Sequence, residues 1–258
     1  MTDQDNLSMD QSEPKAASDY FGDDDLITNP AARVPFCVCA DISGSMERTD
    51  PVSGKKPIEE LNGFINGLMA YIREHPDLAT SVELSLVTFE STVEVVRDFA
   101  LCKAEDPEVQ LTAKGGTALA HGVDKALEIL NERKLSYKNT HVPYYQPVLV
   151  LITDGKPGDK EDLPDVALRT SQLAEESKLS IFPVVIGSDD NEEKWRSIAS
   201  TLEPLSPKHK PLHLKGLAFS EFMNFLTQSI ERLLTANPLD DKPVQTADPN
   251  AGGGWGEW

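Results

Sequence analysis

Three short segments of the chain carry oxygen-bearing side chains next to glycines. Residues 41–45 read Asp-Ile-Ser-Gly-Ser, residues 114–117 read Lys-Gly-Gly-Thr, and residues 153–155 read Thr-Asp-Gly. Residues 41–45 and 153–155 follow apolar runs that predict strands, and residues 114–117 lead into a predicted helix. In open α/β sheets, ligands bind just beyond the carboxyl ends of the strands. We therefore predict that the three segments converge on one site.

The side chains of these segments favour a hard cation. Asp41 and Asp154 supply two carboxylates, and Ser43, Ser45 and Thr117 supply three hydroxyls. The segments contain no Cys or His that would favour zinc, and oxygen ligands suit octahedral Mg²⁺, with Mn²⁺ able to replace it. Two carboxylates balance the divalent charge, and five side chains leave about one of six positions open. That position is predicted to take water or a carboxylate from another molecule.

Simpler interpretations compete with this metal site. An Asp-x-Ser-x-Ser sequence alone is also typical of a strand that ends at a helix cap, so the prediction depends on the agreement of all three segments. Glu47 and Asp50 are close in sequence but are predicted to lie in a solvated loop. Cys37 and Cys39 share one face of a predicted strand, where buried small hydrophobic residues are expected rather than redox or metal chemistry.

The elements that position these segments alternate between strand and helix. Apolar runs predict strands, and apolar residues at helical spacing predict amphipathic helices between them. The pattern predicts an α/β fold with an open, mostly parallel sheet, helices on both faces and one antiparallel edge strand at residues 92–99. The other predicted strands are at 34–40, 82–89, 147–152, 180–186 and 211–214, and the predicted helices begin at Pro57, Thr117, Leu163, Glu192 and Phe219.

Charge and composition suggest three regions within the 258 residues. Residues 1–33 carry eight acids and two bases and are predicted to be an acidic, disordered segment, and residues 236–258 are predicted to be a flexible tail. Residues 34–235 form the predicted domain. The net charge of −19 argues against binding to nucleic acid or to an anionic membrane through bulk charge. The sequence contains no apolar run of membrane-span length and no signal-peptide pattern, so a cytoplasmic protein is expected.

The predicted tail ends in two tryptophans after three consecutive glycines. Because Trp is normally kept for cores or interfaces, Trp255 and Trp258 are candidate partner-binding residues. Glu257 adds a carboxylate that could reach the open metal position of a neighbouring molecule. A tail without a role is the simpler alternative.

The three segments resemble a known family when they are taken together. Residues 41–45 with Thr117 and Asp154 resemble the metal-ion-dependent adhesion site of von Willebrand factor A domains, and the resemblance covers residues 34–235. Residues 57–62, 111–119 and 151–155 are most similar to bacterial TerY-type proteins of tellurium-resistance and stress clusters. The resemblance implies a six-stranded sheet of order 3-2-1-4-5-6. The stretch from Glu47 to Lys56 is longer than in close TerY-type sequences.

The resemblance also implies a role for each site residue. It implies that Ser43 and Ser45 ligate the ion directly and that Thr117 changes between direct and water-mediated contact. It implies that Asp41 and Asp154 act largely through water.

The expected function is a Mg²⁺-dependent protein-binding adaptor of a stress or tellurium-resistance system. The resemblance implies partners such as a protein kinase, a phosphatase or an ATPase of the same gene cluster. One alternative is a subunit that couples targets to a ring-shaped ATPase. A metal-dependent hydrolase is a weaker alternative, because the sequence places no general base or nucleophile beside the hydroxyls and has no phosphate loop. We therefore expect a non-enzyme, and the oligomeric state stays open.

Overall fold

The protein has an α/β fold, in which helices cover a sheet of six strands. The computed structural model describes Leu26 and residues 28–51, 53–187, 192–215 and 218–235. The strand order is β3-β2-β1-β4-β5-β6, with every neighbouring pair parallel except β2 and β3. This confirms the predicted open sheet with one antiparallel edge strand. The strands are β1 (Val34–Asp41), β2 (Val82–Phe89), β3 (Val93–Leu101), β4 (Val148–Thr153), β5 (Ser180–Gly187) and β6 (Leu212–Lys215).

Six α-helices accompany these strands in the described part of the chain. The second is a short helix that begins at Pro76 and was not predicted, because six residues are too few to show a helical period. The third begins at Leu119 rather than at the predicted Thr117. The helices are α1 (Pro57–Glu74), α2 (Pro76–Ser81), α3 (Leu119–Thr140), α4 (Leu163–Glu175), α5 (Glu192–Leu202) and α6 (Phe219–Leu234).

The helices bury both faces of the central strands. Every residue of β1, β2, β4 and β5 is buried. This explains why β1, β4 and β5 read as apolar runs, whereas β2 alternates before it turns apolar and buries the polar side chains of Glu83 and Ser85 as well. One face packs against α1 and α6, and the other packs against α3, α4 and α5. Phe36 and Val38 point to the first face, whereas Cys37 and Cys39 point to the second, as residues two apart in a strand should. Burial raises the pKa of the Cys37 thiol to about 12, so this side chain packs as a small hydrophobic group.

A buried ionic cluster lies at the opposite end of the sheet from the three glycine-containing segments. The Glu83 carboxylate, near the start of β2, accepts hydrogen bonds from Arg33 Nε at 3.1 Å, Arg133 Nε at 2.6 Å and the Tyr137 hydroxyl at 2.5 Å. Both arginines and the glutamate are nearly inaccessible to solvent. This cluster ties the residue that precedes β1 to β2 and to α3.

The ends of the chain lie mostly outside the described residues. Leu26 is buried against Tyr137 and Val142, and Arg33 is buried in the cluster around Glu83. Residues 1–25 and 236–258 are not described, so the predicted disordered segment and flexible tail stay predictions. Within the described residues, no helix has the length and apolar character required to cross a bilayer.

Candidate metal centre

Asp41, the last residue of β1, is held by the turn that follows β1 and by the last residue of the neighbouring strand β4. Its side chain is fully buried. Asp41 Oδ1 accepts a hydrogen bond from the Ser43 backbone amide at 2.7 Å, and Oδ2 accepts one from the Thr153 hydroxyl at 2.6 Å. The carboxylate therefore links the turn after β1 to the last residue of β4.

The two serines and Asp154 form a continuous chain of oxygens. Ser43 Oγ lies 3.0 Å from Ser45 Oγ, and the Ser45 hydroxyl donates to Asp154 Oδ1 at 2.5 Å. Ser43 and Asp154 are buried, whereas Ser45 is half-buried and borders solvent. The structure thus brings the first and third segments together, as the carboxyl ends of adjacent parallel strands require.

The second segment joins them through backbone hydrogen bonds. The Lys114 amide donates to the Ile42 carbonyl at 2.8 Å, and the Gly44 amide donates to the Gly115 carbonyl at 3.2 Å. A Cβ atom placed on Gly155 would lie 3.8 Å from Thr117 Oγ1 and 4.0 Å from Ser45 Oγ. All three predicted hydroxyl residues and both carboxylates therefore border the same small region.

The β2–β3 turn holds the second segment in place. Gly115 has a φ of +69°, and a Cβ atom there would lie 1.9 Å from Glu90 Oε2, so only glycine fits. The Gly116 amide donates to Ser91 Oγ at 2.8 Å, and the Ala118 amide donates to the Glu90 carbonyl at 2.6 Å. Sequence reasoning missed Glu90 and Ser91, because nothing in their local pattern links them to a glycine pair 25 residues away.

Comparison with known proteins identifies the family. The family model for the von Willebrand factor type A domain matches residues 37–207, which is well over half of the chain. The chain belongs to the von Willebrand factor type A (VWA) domain family. A search of curated protein sequences finds no match.

Solved structures share the fold of this VWA domain at low sequence identity. The pilus adhesin SpaC from Lactobacillus rhamnosus GG superposes with a TM-score of 0.57 at 16% identity, over 78% of this chain and 31% of SpaC. The vWF domain of the type V pili tip protein Mfa5 from Porphyromonas gingivalis gives 0.54 at 12% identity, over 82% of this chain and 99% of that one. The D319A mutant of the PilB minor pilin from Streptococcus sanguinis gives a TM-score of 0.53 at 12% identity, over 80% of this chain and 64% of that one. The chain thus spans about a third of SpaC and less than two thirds of PilB, and these identities show the fold alone.

The electrostatics of the VWA domain favour a cation between its two buried carboxylates. Burial, and then repulsion from Asp154, raises the pKa of Asp41 to about 7. Burial also raises the pKa of Asp154, against the opposing effects of the Ser45 hydrogen bond and of Lys194 and Arg48. Two carboxyls that resist ionisation in the cation-free domain lie where a divalent ion would stabilise both charges.

The donor set fits a hard ion rather than zinc. No group of three or more His, Cys, Asp or Glu residues that could hold a metal occurs among the described residues. The candidate centre instead combines two carboxylates with serine and threonine hydroxyls, and all-oxygen sets of this kind suit Mg²⁺ or Mn²⁺. The residues present therefore fit the predicted ion.

The loop that borders this centre is partly buried. The prediction of a solvated loop is wrong for Asp50, whose side chain is buried and whose Oδ1 accepts hydrogen bonds from the Ser53 amide at 2.7 Å and hydroxyl at 2.9 Å. It holds for Glu47, which is exposed and pairs with Lys56. Asp50 thus organises the turn that follows it. The remaining candidates Trp255, Glu257 and Trp258 lie outside the described residues.

Cation binding is expected to weaken as the pH falls below about 7. A metal ligand must be deprotonated, and the raised pKa of Asp41 means that a proton competes with the ion in this range. We expect the Mn²⁺ dissociation constant to rise about tenfold between pH 7.5 and pH 6, measured by isothermal titration calorimetry. An affinity that does not change over this range would contradict the assignment of Asp41.

The raised pKa of Asp41 also determines how the stability of the cation-free domain depends on pH. Its folded state binds more protons than the unfolded chain between pH values of about 4 and 7, because Asp41 has its pKa raised from 3.8 to about 7. Stability without cation is therefore expected to be greatest at the acidic end of this window and to fall as the pH rises through it. Urea unfolding in chelator at several pH values provides the measurement.

Proposed function

We propose that this VWA domain captures a protein partner through a bound divalent cation. Mg²⁺ is the proposed ion, and Mn²⁺ can replace it. Ser43, Ser45 and Thr117 hold the ion through their hydroxyls, while Asp41 and Asp154 supply the balancing charge, largely through water. The observation that supports this is the convergence of the serine hydroxyls and Thr117 on two buried carboxylates at one edge of the sheet.

The partner contributes an Asp or Glu carboxylate to the ion. The charges of Asp41 and Asp154 balance a divalent ion, and the side chains of the centre do not fill an octahedron. Ser45 and Thr117 are only half-buried, so the centre reaches solvent on their side. A carboxylate from another molecule can approach there and complete the coordination, so that the ion bridges the two proteins.

The proposed setting is a bacterial stress or tellurium-resistance system of the TerY type. In this setting the domain is a cytoplasmic adaptor for a kinase, phosphatase or ATPase and performs no catalysis itself. The resemblance of residues 57–62, 111–119 and 151–155 to TerY-type sequences supports this setting.

Substitutions of Thr117 test the proposal. In Mg²⁺, the wild-type protein is expected to bind an immobilised peptide that carries one Asp. It is expected not to bind the same peptide in which Asn replaces that Asp. Thr117→Ala removes the hydroxyl and is expected to keep the fold and part of the Mn²⁺ affinity while losing at least about tenfold in peptide affinity. Thr117→Ser is the matched control, because it retains the hydroxyl and should bind like the wild type.

Chelator and a second variant complete the test. Chelator should abolish peptide binding and lower the melting temperature only modestly, because the ion stabilises the folded state by its binding energy alone. Asp41→Ala should lose Mn²⁺ binding in calorimetry. Equal peptide binding in Mg²⁺ and in chelator, or equal Mn²⁺ binding by Asp41→Ala and the wild type, would overturn the proposed function.

A further inference from the structure

A recess lies directly beside the candidate metal centre. It is a cavity of about 230 Å³ whose lining includes Ser45 and Asp154 of the centre. The loop after β1 forms one wall through Arg48 and Asp50, and the start of α5 forms another. A molecule whose carboxylate reaches the centre therefore has its neighbouring groups next to this recess.

Two exposed cations lie in the recess beside its two acids, Asp50 and Asp154. Arg48 and Lys194 both line it, and both lie near enough to Asp154 to lower the pKa of that carboxyl against the larger effect of burial. Lys194 Nζ lies 3.9 Å from the centroid of the Trp195 ring, which keeps the ammonium group at the recess wall. Among the described residues, the side chain of Arg48 makes no hydrogen bond or ion pair with another side chain.

The acids of the recess are already engaged. Asp50 uses its Oδ1 atom to accept two hydrogen bonds from Ser53, and Asp154 accepts the hydroxyl of Ser45. Because the whole chain carries a net charge of −19, this pair of cations, which equals the acids of the recess in number, is a local exception. Such a pair offers an attractive position for a negatively charged group of a partner.

Close packing gives the recess a definite shape. Trp195 is buried, and its ring packs against Gly187 at the end of β5. Gly187 has a φ of +151°, and a Cβ atom there would lie 2.2 Å from the ring, so only glycine allows this contact. The volume is below that of a typical pocket for a drug-sized ligand, and it suits one or two side chains.

We infer that this recess, named here the cationic recess, recognises a second acidic side chain of the partner. The inference rests on the proposed function: one Asp or Glu binds the ion, and another, a few residues away in the same peptide, lies between Arg48 and Lys194. The partner segment is therefore a short peptide with two acids rather than one. The cationic recess contributes selectivity, while the ion supplies the primary contact.

Peptides with one or two acids test the inference on the full chain. The probes are the blocked peptide Ala-Asp-Ala-Ala-Ala and the three versions in which one later Ala is replaced with Asp. In Mg²⁺, the wild type is expected to bind the best two-acid peptide about fivefold more tightly than the one-acid peptide, as two partly exposed ion pairs allow. The double variant Arg48→Ala with Lys194→Ala is expected to lose this preference.

A matched control separates the local effect from net charge. The control variant, Arg73→Ala with Lys138→Ala, also removes two exposed cations, from the last turns of α1 and α3 at the far end of the domain, and should retain the preference. Both recess cations are exposed, so a melting curve that matches the wild type is expected for the double variant. Raised NaCl should reduce the preference, because salt screens exposed charges.

The possible outcomes separate the inference from the proposed function. Equal affinity for one-acid and two-acid peptides in Mg²⁺, or a preference that survives in the double variant, overturns the inference and leaves capture by the ion intact. A preference that persists in chelator and disappears in the double variant supports the cationic recess and overturns capture by the ion. Binding of no peptide under any condition overturns both.

Discussion

Asp154→Asn is expected to lower the affinity for Mn²⁺ by about 10–100-fold and, at the same time, to stabilise the cation-free domain. Asp154 is buried and repels Asp41, and this repulsion contributes to the raised pKa of Asp41. Asparagine has the same shape, and its amide oxygen can still accept the hydrogen bond from Ser45. The substitution therefore removes one buried charge without opening a cavity.

Calorimetry measures the Mn²⁺ affinity of Asp154→Asn, and urea unfolding in chelator measures its stability. In chelator, the free energy of unfolding of Asp154→Asn should exceed that of the wild type by about 0.5–2 kcal/mol. Asp124→Asn is the control, since Asp124 is exposed, pairs with Arg169 and should change neither quantity appreciably. An asparagine variant that binds Mn²⁺ normally, or that is less stable without cation, would show that the two carboxylates do not act as described.

The second large effect is a loss of stability, expected on substitution of Glu83 at the opposite end of the sheet. Glu83→Ala should lower the free energy of unfolding by about 3–5 kcal/mol, because it leaves two buried guanidinium groups without their carboxylate. In the folded protein Glu83 accepts hydrogen bonds from Arg33, from two nitrogens of Arg133 and from Tyr137. Each of these donors is buried, so water cannot replace the lost acceptor without a rearrangement.

Urea unfolding of Glu83→Ala beside Glu128→Ala tests this effect. Glu128 pairs with Lys125 on the exposed face of α3, and its loss should cost less than about 0.5 kcal/mol. Glu83 and the candidate metal centre lie at opposite ends of the strands, about 20 Å apart at the rise of an extended strand. Folded Glu83→Ala should therefore bind Mn²⁺ with unchanged affinity, and an equal loss of stability in both variants would contradict the role given to the cluster.

The architecture was predictable because the central strands are buried on both faces. Burial of this kind produces continuous apolar runs, which identify β1 and β4, and amphipathic stripes identify α1 and α6. The predicted site segments were then located by topology, since the carboxyl ends of neighbouring parallel strands share one edge. The ligand roles of the site residues stay predictions.

Other features depend on contacts that no local pattern reveals. Asp50 is buried by its own turn, so its hydrophilic surroundings in sequence misled the prediction of a solvated loop. Helix α3 begins two residues after Thr117, because the Thr117 carbonyl accepts the Gly158 amide at 2.7 Å and the Ala118 amide binds Glu90. The cationic recess joins Arg48 to Lys194, and only the folded chain brings these distant residues together.

The long sequence separations within the candidate metal centre bear on the order of events during folding. Ser45 and Asp154 are 109 residues apart, and Asp41 and Thr153 are 112 residues apart. Contacts between residues so far apart in sequence form only after β1 and β4 have paired, so the centre does not exist in an early, partly folded chain. A divalent ion therefore cannot act as a nucleus for folding. An ion bound as proposed would attach to the completed sheet alone, so it is expected to slow unfolding modestly and to leave the rate of folding unchanged.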